Sequence, residues 1–208
     1  VQQVSDPSQF GVVRLNDKKE ITELVEKPTS FVSDLAIIGI YFFKDGEALA
    51  REMQYLIDND IKEKGEFQFT TALQALNKKG AVFVPGQVNE WLDCGNKNVT
   101  VQTNQRYLEF IKDQKLIADS AKLTNAVIIP PVFIGNNAVI ENAVVGPYVS
   151  VGDDTRITDS RISNSIIQKN SVVSKAVLEN SLLGNFVSFE GKSTDLSLGD
   201  YSSVAPSS

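Results

Sequence analysis

Apolar positions along the chain follow two rhythms. Over residues 9–112, strand-like and helix-like spacings alternate. Residues 9–15 and 20–26 alternate apolar and polar positions in part, and the polar turn Asn16-Asp17-Lys18-Lys19 between them predicts a hairpin. Residues 35–43 are almost continuously apolar, the pattern of a strand covered on both faces. Leu49, Met53, Leu56, Ile57 and Ile61 then recur at helical spacing behind Asp45, a candidate N-cap. Phe69, Ala72, Leu73 and Leu76 predict a second helix, closed by Lys78-Lys79-Gly80, where two cations precede a C-cap glycine. Residues 81–85 read as a short strand, and a third helix follows Asn96 with Val99, Thr103, Tyr107, Leu108 and Ile111 inward. The texture is α/β.

From about Ala126 the helical period vanishes, and single aliphatic residues return every five or six positions between Ser, Asn, Asp and Gly. The series Ile134, Ile140, Val145, Val151, Ile157, Ile162, Ile167, Val173, Leu178, Leu183 and Phe189 steps by 6, 5, 6, 6, 5, 5, 6, 5, 5 and 6. Three steps make one coil of 16 or 17 residues. One aliphatic side chain per step cannot build a core alone, but stacked coils align these side chains in a column on each of three faces. A parallel β-helix of roughly four coils over 126–203 is therefore predicted. The residue after each aliphatic is often small or acidic, as at Gly135, Glu141, Gly146 and Gly152, and reads as a corner. A sandwich of antiparallel strands would instead show turns every eight to twelve residues.

Composition narrows the functions open to such a chain. In 208 residues, 20 Lys and Arg face 26 Asp and Glu. The charge is evenly spread, residues 1–112 holding 13 cations and 16 anions and residues 113–208 holding 7 and 10. No basic surface is expected to attract nucleic acid. No window approaches the roughly 20 apolar residues of a membrane helix, so no membrane partner is expected. A single cysteine, Cys94, excludes an internal disulfide and fits a reducing, cytoplasmic setting. With no histidine, Ser-His-Asp and Cys-His catalysis are excluded. The chain begins at Val1 and its one methionine is Met53, so it reads as a fragment or a processed chain.

Three short segments can carry chemistry. Glu26-Lys27-Pro28 closes a strand in a turn or extended form set by the proline, and its charges sit at a strand end, where open α/β sheets bind ligands; a solvated strand end is the plainer alternative. In Trp91-Leu92-Asp93-Cys94-Gly95 a lone carboxylate lies between apolar residues just before a helix, either as a metal ligand or as a partner of the helix N-terminus. Cys94 reads as a small buried thiol, with no histidine to activate it. Lys64-Gly65-Glu66 precedes a helix, where a lysine can reach a phosphate.

Taken in order, Phe10-Gly11-Val12-Val13, Glu26-Lys27-Pro28, Gly39-Ile40-Tyr41-Phe42, Gly65-Glu66 with Thr70, and Trp91-Leu92-Asp93-Cys94-Gly95 resemble the second half of the sugar-1-phosphate nucleotidylyltransferase domain. The resemblance extends to the repeat, because many members of that family append a left-handed hexapeptide-repeat β-helix. It implies the C-terminal, sugar-phosphate half of a Rossmann-like catalytic domain over 1–112, a linker over 113–125 and a left-handed parallel β-helix over 126–208. It also implies attack of a sugar-1-phosphate oxygen on the α-phosphorus of a nucleoside triphosphate with release of pyrophosphate, glucose 1-phosphate being the first candidate. Such chemistry rests on positioning and charge neutralisation, in keeping with a chain without histidine.

By the same resemblance Gly11 lets the backbone approach the sugar and Glu26 accepts from its hydroxyls. Lys27 and Lys64 hold the phosphate, while Tyr41 and the backbone near Ile37 line the pocket. Lys27 and Asp93 are the catalytic candidates, and Asp93 is one of two aspartates holding Mg²⁺. Association with further copies of the chain is expected. Two features depart from the family: Thr70 is followed by Thr71 rather than by an aspartate, and the glycine-rich Gly-Thr-Arg loop with the other magnesium aspartate occurs nowhere in these residues. The chain therefore reads as a C-terminal fragment, inactive alone. A non-catalytic regulatory subunit is the alternative, and an acyltransferase, which generally needs a histidine base, is disfavoured.

Overall fold

The computed structural model describes residues 1–63, 65–191 and 195–204. Contacts divide the chain into Val1–Trp91 and Leu92–Ser208. The first unit holds a four-stranded sheet in the order β1 (Gln2–Gln3), β4 (Leu35–Ala36), β2 (Gly11–Leu15) and β3 (Ile21–Glu26), with α1 (Gly46–Asp58) and α2 (Phe69–Lys78). The hairpin forms where the alternation places it. Its turn is closed by Asn16, whose Oδ1 accepts from the amides of Lys18 and Glu20 at 3.0 and 2.9 Å. Val13, Ile21, Leu24 and Leu73 form the core, so one face of the hairpin buries its apolar alternates against α2. Two side chains of α2 pin that contact. The amide of Leu24 donates to Gln74 Oε1 (2.7 Å) and Asn77 Nδ2 donates to the Ile21 carbonyl (2.9 Å).

The helices begin where capping predicts, Asp45 accepting from the amide of Ala48 and Asn96 from those of Asn98 and Val99. The expected strand over 35–43 is different. Only Leu35–Ala36 pair with neighbours, and Ile40 and Phe42 are 77 and 87% exposed. Past Ala36 no strand among the described residues continues the ladder, so this apolar run is not covered on both faces. Residues 81–85 likewise make a single bridge, Ile21 to Phe83. On α1, Leu56 is buried as its spacing predicts, but Met53 and Ile57 are exposed and Glu52 is buried. Lys79 makes that burial tolerable by pairing with the Glu52 carboxylate.

In the second unit, α3 (Lys97–Ile111) packs on a parallel β-solenoid of about five turns. All eleven aliphatic positions of the repeat are buried. Register explains why: Ile134, Val151, Ile167, Leu183 and Leu198 stack as Cα partners on one face, Leu123, Ile140, Ile157, Val173, Phe189 and Val204 on the next, and Ile128, Val145, Ile162 and Leu178 on the third. Parallel pairing begins with the bridge Ile117 to Ile134 and continues at Lys122–Thr124, both before Ala126, giving a longer stack than four coils.

Two further columns share the rhythm. Two residues before each aliphatic, from Ala138 to Val187, the side chain is small or short and buried. Where it is serine the hydroxyl serves the next coil: Ser160, Ser165 and Ser171 Oγ accept from the amides of Ala176, Ser181 and Val187 at 3.1 Å. Three residues before each aliphatic, from Asn137 to Phe186, the backbone is left-handed. This is the corner, and Asn and Asp supply most of it because they tolerate positive φ. The glycines placed at the corner by sequence spacing have another task. At Gly152 a Cβ would lie 2.5 Å from the Lys169 amide nitrogen of the following coil, so close stacking excludes a side chain.

On α3, Val101 and Leu108 are the buried side chains, whereas Tyr107, expected inward, is exposed. The helix meets the solenoid through a stripe at 101, 104 and 108, a regular three-and-four spacing that excludes 107. None of the described helices is long and apolar enough to cross a membrane.

Candidate functional site

The hairpin places Gly11 opposite Glu26 in register, and the next strand is tied to the same point because the amide of Ile37 donates to the Gly11 carbonyl (2.8 Å). α2 contributes Thr70, whose hydroxyl donates to Glu26 Oε2 (3.3 Å). These four residues surround one small space. A Cβ on Gly11 would stand 2.8 Å from Glu26 Oε2, 3.1 Å from Thr70 Cγ2 and 3.3 Å from Ile37 Cδ1. Glycine at this position therefore keeps the carboxylate where the strand end and α2 put it.

Lys27 follows directly. Its amide donates to the Phe10 carbonyl (3.0 Å), and its backbone is left-handed, φ +42°. A lysine in that region costs about 1–3 kcal/mol and persists only where surrounding structure imposes it. Here the imposing elements are the end of the β3 ladder and the buried Pro28. Tyr41 stands close enough to feel Glu26: burial, and after it the Glu26 charge, push the phenol above its ordinary pKa. Glu26 thus offers an acceptor while Tyr41 retains its proton as a donor, a combination suited to hydroxyl-bearing ligands.

Glu26 and Thr70 also line a cleft of about 260 Å³ with Glu63 and Thr71. Thr71 Oγ1 donates to Glu63 Oε1 (2.9 Å). A carboxylate therefore does lie beside the position where the family pattern has an aspartate and this chain has Thr71. Nothing in the linear spacing of residues 63 and 71 announces it. Lys64 lies outside the described residues.

Asp93 belongs to the second unit. Thr103 Oγ1 donates to its backbone carbonyl (2.5 Å), whereas the Thr100 hydroxyl has its nearer acceptor in the Asn96 carbonyl (2.8 Å), that of Cys94 lying at 3.2 Å. Cys94 is exposed rather than buried, since it sits in the loop before α3 with no element over it. Among the described residues the Asp93 carboxylate accepts no hydrogen bond, and Gly95 leaves it room, a Cβ there falling 3.1 Å from Asp93 Oδ2. The described residues contain no cluster of three metal-binding side chains. A partly exposed carboxylate on a backbone held by Thr103 nonetheless fits Mg²⁺, which takes one or two carboxylates and completes its shell with water and phosphate oxygens.

The chain is 32% identical over 201 residues to a glucose-1-phosphate thymidylyltransferase of Streptomyces antibioticus, covering 88% of this chain and 55% of that protein. It is 28% identical over 231 residues to the enzyme of the same name from Streptomyces griseus, covering 99% and 62%. To the bifunctional protein GlmU of Methanocaldococcus jannaschii it is 32% identical over 111 residues, 53% of this chain and 26% of the other. The chain thus spans about half the length of the thymidylyltransferases it matches. The nucleotidyl transferase family model matches residues 1–109, just over half of the chain. With Gly11, Glu26 and Thr70 gathered at the end of the matched hairpin, the chain belongs to the nucleotidyl transferase family.

Proposed function

We propose that this chain is the sugar-phosphate-binding part of a sugar-1-phosphate nucleotidylyltransferase, with glucose 1-phosphate as its ligand. The observation that carries the reading is the convergence of Gly11, Glu26, Ile37 and Thr70 on one space beside the phenol of Tyr41. Glu26 accepts from ring hydroxyls, Tyr41 and Thr70 bound the ring, and Gly11 removes the side chain that would obstruct it. Lys27 and Lys64 neutralise the phosphate. In the reaction, an oxygen of the sugar phosphate forms a bond to the α-phosphorus of a nucleoside triphosphate as the bond to pyrophosphate breaks, so the lysines must hold that oxygen in line.

The family generally uses a divalent metal; Mg²⁺ is the ion proposed here, with Asp93 as its ligand, and it would neutralise developing charge on the phosphates. These 208 residues contain no Gly-Thr-Arg loop. They are therefore proposed to bind the sugar phosphate weakly and to make no nucleotide sugar alone. Self-association and a cytoplasmic setting belong to the same proposal.

The test is ligand-observed nuclear magnetic resonance with glucose 1-phosphate, free glucose and inorganic phosphate, run beside pyrophosphate release from several nucleoside triphosphates with Mg²⁺. Saturation transfer to glucose 1-phosphate that is lost in Glu26→Gln supports the reading. Equal transfer in parent and variant refutes the site, and sustained pyrophosphate release by this chain refutes the assignment of the missing chemistry to residues outside it.

A further inference from the structure

The loop that carries Asp93 is continuous with α3, and α3 is fastened along the solenoid. At its first residue, Lys97 Nζ donates to the Asn180 carbonyl (3.0 Å) and pairs with the Asp195 carboxylate. Lys97 is largely buried, its side chain 17% exposed. Next to it Asn180 Nδ2 donates to Asn98 Oδ1 (3.3 Å) and to Asp195 Oδ2 (3.3 Å). Midway along the helix, Ser150 Oγ donates to Asn104 Oδ1 (2.6 Å). Near its end Tyr148 donates its phenol proton to Glu109 (2.7 Å). Thr103, on the second turn of α3, then holds the carbonyl of Asp93.

These bonds form an unbroken path: solenoid corner, Lys97, first turns of α3, backbone of Asp93. The anchor nearest Asp93 is an ammonium ion largely withdrawn from water, its side chain turned to the solenoid. Both partners of Lys97, the Asn180 carbonyl and the Asp195 carboxylate, belong to the solenoid and neither lies on α3 itself. A lysine that merely solvated the helix would face water.

We infer that the solenoid positions Asp93, with Lys97 as the positioning residue and Asn180 and Asp195 as its seat. The inference rests on the proposed metal role of Asp93 for its functional meaning. The mechanical part stands separately: the solenoid sets the mobility of the 92–95 loop. A carboxylate on a loose loop loses affinity for a cation because ordering it must accompany binding, and removing an outer partner of a metal ligand typically costs about 10–100-fold.

Cys94 makes the test direct. It is the only cysteine in the chain and is exposed, so a nitroxide attached there reports on the residue next to Asp93 without any added cysteine. Electron paramagnetic resonance of the 208-residue chain gives label mobility, and added Mn²⁺ broadens the label when it binds beside it. Lys97→Met and Asp195→Asn are expected to shorten the label's correlation time about threefold, and Lys97→Arg to restore most of it. The Mn²⁺ concentration for half-maximal broadening should rise about tenfold in Lys97→Met. Circular dichroism confirms that each variant keeps its solenoid.

Unchanged mobility in a folded Lys97→Met overturns the inference, as does increased mobility with unchanged Mn²⁺ affinity. Broadening that survives Asp93→Asn refutes the metal role of Asp93 instead, and does so whatever Lys97→Met does to mobility.

Discussion

Gly11→Ala isolates the geometry of the proposed sugar site. Gly11 does not have positive φ, so alanine brings no backbone strain, and in a strand it should gain about 0.5–1 kcal/mol from lower unfolded-state entropy. Against this stands the new methyl carbon, 2.8 Å from Glu26 Oε2 and close to Thr70 Cγ2 and Ile37 Cδ1. Overpacking of this kind costs about 1–3 kcal/mol. The carboxylate is the far end of a flexible side chain and yields first, so the cost falls at the low end, about 1 kcal/mol; the two effects nearly cancel and the net loss is at most about 0.5 kcal/mol, a fall in Tm of no more than roughly 2–4 °C for a unit of this size. What yields matters more than what is lost. Glu26 retreats by several tenths of an ångström and leaves the Thr70 hydroxyl, and a charge-assisted hydrogen bond to a ligand is worth about 1.5–3 kcal/mol. Affinity for glucose 1-phosphate should therefore fall about tenfold or more while the chain remains folded. Calorimetric melting and ligand-observed resonance titration measure the two separately. Wild-type affinity in a folded Gly11→Ala would refute the placement of the sugar against Glu26, and complete unfolding would refute the judgement that the carboxylate, not the backbone, gives way.

Other outcomes follow from particular contacts. Ser171→Ala should cost about 1–3 kcal/mol in denaturant melts, because the buried hydroxyl accepts from the Val187 amide and donates to the Gly184 carbonyl, and both are left unsatisfied; Ser188→Ala, on the exposed side, should cost far less. Tyr41 should ionise above the ordinary tyrosine range in an ultraviolet titration, and Glu26→Gln should lower that value by removing a neighbouring charge. Since the raised value belongs to the folded state, the tyrosine's contribution to stability is complete below the unfolded pKa near 10 and is lost as pH rises through the folded one. Asp195 is shifted the other way, its hydrogen bond from Lys97 holding it below the ordinary carboxylate value. Its tie to α3 is therefore complete above that ordinary value and fails as pH falls through the depressed one. A label on Cys94 should loosen over that acid range in the parent chain, and Asp195→Asn should remove this component.

The solenoid was legible because its signal is periodic: each of eleven aliphatic positions repeats the same decision, and all eleven are buried. Its serine column keeps the same period, but a buried serine and a surface serine look alike until hydrogen bonds are seen. The sheet of the first unit was half legible. Residues 35–43 have the composition of a strand, but pairing depends on a neighbour, and composition does not reveal whether one is present. For the site, Gly11, Glu26 and Thr70 were found as separate motif residues, and only register and the packing of α2 bring them together. Glu63 had no signal, since its tie to Thr71 crosses from an irregular segment to a helix. The path from Asp195 to Lys97 was equally silent, joining residues 98 positions apart.

The path of α3 along the coils also works as a gauge. Its first residues meet Asn180 and Asp195 and its later ones meet Tyr148 and Ser150, so the helix runs from late coils towards early ones. Coils rise about 4.8 Å each, whereas the helix repeats about every 5.4 Å. The two scales do not match, so inserting or deleting one 16-residue coil between residues 150 and 180 cannot be absorbed by sliding α3 a turn. Solenoids in general tolerate gain and loss of repeats at little cost. This one carries a measuring rod across its middle, which confines such length changes to the coils beyond either end of the helix.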